Sequence, residues 1–527
     1  MSGKARPVRG SGIFITLLLA CAMLVAIYWT LRYGGWAIEG DATRVTISAE
    51  GILSEGSLIN RTSYLSGYTY PAALAFLSHI TGASLPSVQL NTGFWLAVMS
   101  LVAFVCYREL LGHRAIAALA ALLLLIQPDF LFYVLRSSHE KVLWLCALLL
   151  LFLLVRSYRF ANDLRQLGVF ILFFYFIFWA MVATNVFLAS TFLVALAFSF
   201  AGGTILSVGE MRAPQRALRD DSRLPHRLFM ISLAGFILVF IFITYIYEPA
   251  YHYFHMLNDL IDRLSALALG AQPADPYSYT RAAWRDPVVF LLLTVVQWLI
   301  AISSAIAWIT QGLRIVGGRA KRPTAGESLL WLMYAGFSVQ LLMSIVVDFA
   351  GFLSANLQMR LFTPFTIISS PLAARLWGQV YHKLHSQLKR KFAWAAAGVV
   401  ALGICTSLLK ITHDPGVGNY WIFYSPAELK ATQWADQHLR YSRIWTDIWS
   451  HQRDVLGFWQ GYAWSSTNTY EFGRRIEPAP YVMISHLTRL EASRLEISLP
   501  STVNYNRVYD SGKTQLYHRR PRTPYQR

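Results

Sequence analysis

Charge is scarce in this 527-residue chain: only 14% of its residues are Asp, Glu, Lys or Arg, against about 25% in an ordinary soluble protein. With 55% hydrophobic residues and a mean hydropathy of +0.42, that shortage excludes a soluble globular protein of this length. Cysteine is scarce too. Cys21, Cys106, Cys146 and Cys405 all fall in apolar stretches, so no disulfide framework holds the polar region after Lys410. There is no Walker A sequence, no G-x-G-x-x-G, no C-x-x-C and no H-E-x-x-H, so a soluble nucleotide is not indicated as the energy source. No chain of acidic residues marks a proton relay, and no paired broken helices mark a transporter. Internal repeats and low-complexity segments are also missing.

What is present is long apolar sequence. Gly10–Leu31, Leu167–Gly209 and Val288–Leu313 carry no charged residue. A helix of about 20 such residues crosses the roughly 30 Å of a bilayer core. The expected fold is an α-helical polytopic membrane protein with about eleven spans, near 12–33, 85–107, 115–135, 139–155, 167–183, 186–206, 228–247, 288–312, 328–347, 361–378 and 393–410. The run 167–209 is too long for one crossing and is expected to fold back at Thr184-Asn185. The first run is too long for a cleaved signal peptide and lacks an A-x-A-like site, so it reads as a retained helix.

The net charge of +18 reads as topology and not as nucleic-acid binding. With the amino terminus in the cytoplasm, basic residues crowd the inner segments, among them Lys4, Arg6, Arg9, Arg212, Arg216, Arg219, Lys383, Lys389, Arg390 and Lys391. They outnumber those on the longer outer connections, as the positive-inside rule requires. The carboxyl-terminal region then falls outside. This divides the chain into a membrane domain, 1–410, with long outer loops at 34–84 and 248–286, and a small extracytoplasmic α/β domain, 411–527. In the latter, Ser425-Pro426-Ala427-Glu428 forms a capping box opening a helix to about His438. "RIWTDIW" reads as a strand. "YNRVYDSGKTQLYH" reads as a hairpin turning at Asp510-Ser511-Gly512-Lys513, and the final "HRRPRTPYQR" as disordered.

Four polar features stand out. "FYVLRSSHEKVLWL" places Arg136, His139, Glu140 and Lys141 between apolar runs. The apolar run that follows is only about 14 residues, roughly 21 Å of helix, so spanning requires borrowing residues at one end or both. Borrowing outward draws the charges below the outer interface, where they must face a wet cavity or each other; the alternative is an interfacial cap with snorkelling Arg and Lys. Arg360 opens a span from the outside, against the charge bias; its planar fork suits a phosphate, or it is a helix-end snorkel. The first outer loop carries Asp41, then a segment of helical period from Val45 to Leu53 ending at Gly56, then "YLSGYTYPAALAFL", an apolar half-helix. It is either a surface loop with interfacial helices or a device holding Asp41 over a cavity. His255, Asp259 and Asp262 share a helical face, which reads more simply as the polar side of an interfacial helix than as a metal site.

In this order — one span, an acidic outer loop closing on "GYTYPAALAFL", "HITGAS", a span, the basic turn "RELLGHRA", a span ending "LRSSHEK" — the chain resembles the GT-C superfamily of integral-membrane glycosyltransferases. The likeness covers about residues 12–205 and Arg360, and is nearest to the branch of bacterial aminoarabinose transferases and protein O-mannosyltransferases. The resemblance implies Asp41 as catalytic base, Tyr68, Tyr70 and Pro71 as the "Y-x-Y-P" element, and Glu140 with His139 as the second acidic position. It implies transfer of a sugar from a polyprenyl-phosphate donor to a glycan, lipid or protein acceptor on the outer face of a bacterial plasma membrane. Arg136, His139, Glu140, Lys141, Arg360, Tyr68 and Tyr70 would bind substrate. No cofactor is required; His139 and Glu140 are the candidates to hold a divalent cation. Pro71-Ala72 departs from the paired prolines common in the family, and the W-W-D-Y-G signature is missing, which argues against N-glycosylation of proteins. A lipid-linked glycan ligase or polymerase, and a non-enzymatic transporter, are the competing readings.

Overall fold

The computed structural model describes residues 11–33, 40–58, 68–89, 92–136, 139–159, 164–211, 249–273, 287–316, 324–351, 357–412, 426–439, 444–445, 480–486, 488–489, 498–499 and 501–520. The span expected at 228–247, Ser425 of the expected capping box and the chain end 521–527 lie outside them. In order the helices are α1 (Ser11–Tyr33), α2 (Gly40–Glu55), α3 (Thr69–Thr81), α4 (Leu85–Gln89), α5 (Thr92–Leu111), α6 (Arg114–Leu125), α7 (Pro128–Leu135), α8 (Glu140–Arg159), α9 (Leu164–Thr184), α10 (Val186–Met211), α11 (Pro249–Ala268), α12 (Pro287–Val316), α13 (Ala325–Phe349), α14 (Leu357–Lys383), α15 (Ser386–Thr412) and α16 (Pro426–His438). The strands are β1 (Ile444–Trp445), β2 (Tyr481–Ile484), β3 (Tyr505–Asp510) and β4 (Gln515–Arg519).

Helix ends follow local chemistry. The long uncharged run folds back at Asn185, between α9 and α10. Its Oδ1 accepts the Leu188 backbone N–H at 3.0 Å, which is how an N-cap satisfies one of the donors a helix start leaves unpaired. α2 stops at Gly56, whose φ of +64° only glycine adopts without strain. α8 is longer than the apolar run suggests: it gains Glu140 and Lys141 at one end and Arg156–Arg159 at the other.

The expected count of eleven spans reaches beyond the helices that qualify by themselves. Among the described residues, five helices are long and apolar enough to cross a membrane by themselves, within α1, α9, α12, α13 and α15. A sixth crossing results if α6 and α7 are one span bent by 76° between Leu125 and Pro128. The sequence count of eleven also includes α5, α8, α10 and α14, and the stretch 228–247 outside the described residues. α14 holds Arg360, Arg375 and Lys383 along with Pro364 and Pro371. Its stretch from Ile367 to Ala374 is buried in protein, so its neighbours, and not lipid, set what it tolerates.

One continuous apolar core runs through the bundle, from Leu18 of α1 to Ile411 of α15. At Pro371 of α14 the missing N–H frees the Ile367 carbonyl, and the buried Tyr107 hydroxyl of α5 donates to it at 2.8 Å. α12 and α13 exchange indole bonds: Trp308 Nε1 donates to the Trp331 carbonyl and Trp331 Nε1 to the Trp308 carbonyl, both at 2.9 Å. α10 and α13 cross at Gly336, where an added Cβ would stand 3.0 Å from the Ala195 backbone.

The carboxyl-terminal elements form a four-stranded sheet in the order β1-β2-β4-β3, with β1 parallel to β2 and the other pairs antiparallel. α16 packs on it through Ala431, Ala435 and Leu439 against Ile444, Met483 and Leu516. α16 spans the expected helix, from Pro426 to His438. The β3–β4 hairpin turns where expected, with Gly512 at φ +82° and its N–H donated to Asp510 Oδ1 at 2.7 Å. β4 extends through His518 and Arg519, so ordered structure continues into the segment read as a disordered tail.

Candidate active site

The C-termini of α7, α9 and α13 meet the N-termini of α8, α10 and α14 at one end of the bundle. The charged group after α7 is buried there, in protein and not at a surface. Arg136 is 1% exposed, His139 4%, Glu140 9% and Lys141 0%. Snorkelling would leave the cationic heads in water, so burial rules out the interfacial-cap reading.

The four are bound to one another and to their surroundings. An Arg136 guanidinium nitrogen lies 3.5 Å from Glu140 Oε1, and His139 Nδ1 lies 3.7 Å from Glu140 Oε2. Asn185 Nδ2 lies 3.0 Å from His139 Nε2. Because Asn185 Oδ1 already accepts the Leu188 N–H, its amide faces His139 with the NH2. His139 Nε2 is therefore the acceptor, and Nδ1 carries the proton toward Glu140. Neither ring nitrogen then offers a lone pair to a metal. His139 does not fit as a metal ligand in this arrangement, and Glu140 is engaged by Arg136. Among the described residues, no three His, Cys, Asp or Glu side chains gather into a metal-holding group.

Lys141 Nζ sits 5.7 Å from the ring centres of both Tyr70 and Trp95, within cation–π range. The Arg136 guanidinium carbon lies 5.4 Å from the Phe132 ring centre and 5.5 Å from that of Tyr133. Tyr133 is also within electrostatic reach of Glu140, Arg360 and Asp129. Arg360, in the first turn of α14, thus belongs to the same neighbourhood. Asp348, at the end of α13, holds that turn by accepting the backbone N–H groups of Leu357 at 2.7 Å and Gln358 at 2.9 Å.

The first outer loop packs onto this cluster. Tyr70 is fully buried in a small apolar core with Leu74, Ala49 of α2 and Leu85 of α4, and Val142 of α8 packs against it. Thr46 of α2 also bonds Gln89 of α4. Asp41 is the second residue of α2; its side chain lies outside the described residues. Tyr68 stands just before α3 and meets Trp179 of α9 edge-on at 6.4 Å, apart from the Lys141 contact. The structure therefore brings Tyr70, Arg136, His139, Glu140 and Lys141 together. It places Arg360 within reach and puts Asp41 on a helix packed against the same layer. On α11, Asp259 pairs with Arg263 at 2.9 Å, as the polar-face reading of that helix expects.

Sequence reasoning overlooked Trp95, Asp129, Asn185 and Asp348. Asp129, in the first turn of α7, lies 3.3 Å from Lys410 Nζ and 3.3 Å from Gln297 Nε2. Its signal was available: an acidic residue within an apolar run. Asn185 was recognised as a turn residue, and nothing local ties it to His139, 46 positions away.

No family model matches the chain, and no curated protein matches it by sequence. Its structure is similar to the crystal structure of the Archaeoglobus fulgidus oligosaccharyltransferase in the apo form, with a TM-score of 0.51 at 12% identity over 89% of this chain. The match covers 62% of that protein's length, so this chain spans less than two thirds of it. The same archaeal protein, AglB, in complex with an inhibitory peptide and a dolichol-phosphate, matches with a TM-score of 0.48 at 12% identity, over 88% of this chain and 62% of that one. ArnT from Cupriavidus metallidurans in the apo state matches with a TM-score of 0.41 at 12% identity, over 96% of this chain and 98% of that one. The first of these establishes the fold alone: this chain shares the helical architecture of that archaeal protein.

Proposed function

We propose that this protein is a GT-C glycosyltransferase that moves a sugar from a polyprenyl-phosphate carrier to an acceptor hydroxyl at the outer face of the membrane, with inversion. The supporting observation is the buried group of Arg136, His139, Glu140 and Lys141, with Tyr70 of α3 against Lys141 and the helix that bears Asp41 packed on α3. A polyprenyl phosphate brings its charge to the headgroup level of the leaflet, where cations already desolvated by protein can meet it.

In the proposed reaction Asp41 takes the proton from the acceptor hydroxyl. That oxygen attacks the anomeric carbon from the side opposite the phosphate. The carbon–oxygen bond to phosphate breaks, and the phosphate leaves with an added negative charge. Arg360, Arg136 and Lys141 stabilise that charge, and preorganised cations in a dry site act more strongly than they would in water. Asn185 and Glu140 hold His139 in one tautomer, with its single N–H toward Glu140, so the imidazole fixes the carboxylate's position beside the cations. Positioned base catalysis accounts for about 10²–10⁴-fold. Residues 411–527 form the extracytoplasmic domain in this reading, and the acceptor binds at its side of the membrane.

Purified protein in vesicles, given a polyprenyl-phosphate sugar and an acceptor, tests the base. Asp41→Asn is expected to lower transfer by at least ~10²-fold while the thermal transition stays in place. Wild-type rates in that variant would remove Asp41 from the mechanism. A transporter would move the donor across sealed vesicles unchanged, and a ligase or polymerase would accept only donors bearing a longer glycan.

A further inference from the structure

The end of the bundle away from the charge cluster carries a second concentration of charge, all of one sign. Between α14 and α15, ten residues hold His382, Lys383, His385, Lys389, Arg390 and Lys391, and no Asp or Glu occurs anywhere from Leu357 to Thr412. Lys383, Arg390 and Lys391 are exposed, and among the described residues none of the hairpin's lysines or arginines pairs with a carboxylate. Lys389 rests 5.8 Å from the Tyr381 ring centre. Two half-buried cations nearby are neutralised: Arg156 by Glu109 at 3.3 Å and Arg375 by Glu327 at 2.7 Å. Among the described residues, the bundle thus supplies carboxylates for these two half-buried cations and none for the hairpin.

Helix length fixes the level of these charges. α15 presents a 26-residue apolar candidate span, Ser386–Ile411, about 39 Å at the rise of an α-helix. That exceeds a hydrocarbon core of about 30 Å by some two turns. With Lys410 at the far end held beside Asp129, the surplus falls at Ser386–Lys391, at the depth of lipid phosphates. One turn deeper, Trp394 is 71% exposed, as an indole at the membrane interface should be. Only 17% of the α15 window is buried in protein, so much of its surface is open to lipid.

We propose that the α14–α15 hairpin is a docking surface for anionic phospholipid headgroups, whose phosphates supply the counter-charges the protein omits. This does not rest on the glycosyltransferase reading. Because α14 runs from Arg360 to the hairpin, headgroup binding there also sets the depth at which Arg360 stands.

The test uses the full-length protein in mixed phosphatidylglycerol–phosphatidylcholine vesicles, extracted and examined by native mass spectrometry. Wild type is expected to retain phosphatidylglycerol over phosphatidylcholine by about tenfold or more at physiological salt. The preference should fade toward 1 M salt, where the Debye length is about 3 Å. The combined variant Lys383→Gln, Lys389→Gln, Arg390→Gln and Lys391→Gln is expected to lose most of it, with an unchanged melting temperature in pure phosphatidylcholine. Should that variant fail to fold, Lys389→Gln with Lys391→Gln and the wild-type salt titration read the same quantity. Equal retention of both lipids by wild type overturns the proposal. So does displacement of the lipid by millimolar inorganic phosphate, which would mark a free-phosphate site, or equally tight binding of polyglutamate, which would mark an acidic protein partner.

Discussion

Asn185 uses its two amide atoms on different tasks, capping α10 through Oδ1 and setting the His139 tautomer through Nδ2. The two can be separated. Asn185→Ser keeps a capping oxygen but is too short to reach the imidazole. It is expected to preserve most of the helix start while leaving a buried ring nitrogen without its donor, a loss of about 1–3 kcal/mol. Asn185→Ala loses the cap as well, about 1 kcal/mol more. Thermal denaturation of both variants in detergent, beside their transfer rates, would show the split. Transfer that fell equally with stability in the two would assign Asn185 to the fold alone. A second residue-scale expectation concerns Asp510. The Gly512 backbone N–H, helped by Gln515, Arg507 and Arg489, holds its carboxyl below the usual carboxylate range. A depressed folded pKa stabilises above the unfolded pKa, and that contribution is lost as pH falls through the folded value. Local protection of the β3–β4 hairpin should therefore decline below about pH 4 in wild type. It should be pH-independent there in Asp510→Asn, as hydrogen exchange across 505–519 can test.

At the level of helices, α14 carries two internal prolines, and at Pro371 another helix satisfies the carbonyl that is freed. The Tyr107–Ile367 bond yields a cycle. Tyr107→Phe alone should destabilise by about 1–3 kcal/mol, since a buried carbonyl loses its donor. In a Pro371→Ala background the new N–H reaches the same carbonyl, and the Tyr107→Phe penalty should largely vanish. Additive losses in the double variant would show that Pro371 does not govern that carbonyl. Such relations also mark the limit of what could be read from sequence. Apolar runs, the Asn185 fold-back, the Gly56 stop and the Asp510–Lys513 turn depend on neighbours in the chain and were legible. Glu140 and Lys141 were legible as an anomaly, because the apolar run after them was too short. Their surroundings were not: Tyr70 and Trp95 reach Lys141, and Asn185 reaches the adjoining His139, from other parts of the chain, and only packing decides which helices meet. Hydropathy likewise cannot tell a helix facing lipid from one such as α14, enclosed by its neighbours.

For the molecule as a whole, the two ends differ in how charge is handled. At one, cations are enclosed with a carboxylate, an imidazole and aromatic rings; at the other, the hairpin cations stand in the open. If the hairpin faces the cytoplasm and the sheet faces outward, as the charge bias implies, cysteines placed at each should report opposite sides. In intact spheroplasts an impermeant maleimide should label Ser511→Cys and spare His385→Cys until the membrane is opened. Labelling of both before lysis would put the ends on one side and end the two-sided reading.

The hydrogen bond between His139 and Asn185 has a consequence for biogenesis. Translation delivers α8 well before the start of α10, so a nascent chain that has released only the earlier helices holds Glu140 and His139 in a half-built enclosure. That charge group is complete only when the ninth and tenth helices have been inserted and folded back on themselves. A nascent chain arrested short of Asn185 should therefore remain beside the insertion machinery and open to proteolysis, and one arrested a few turns beyond it should not.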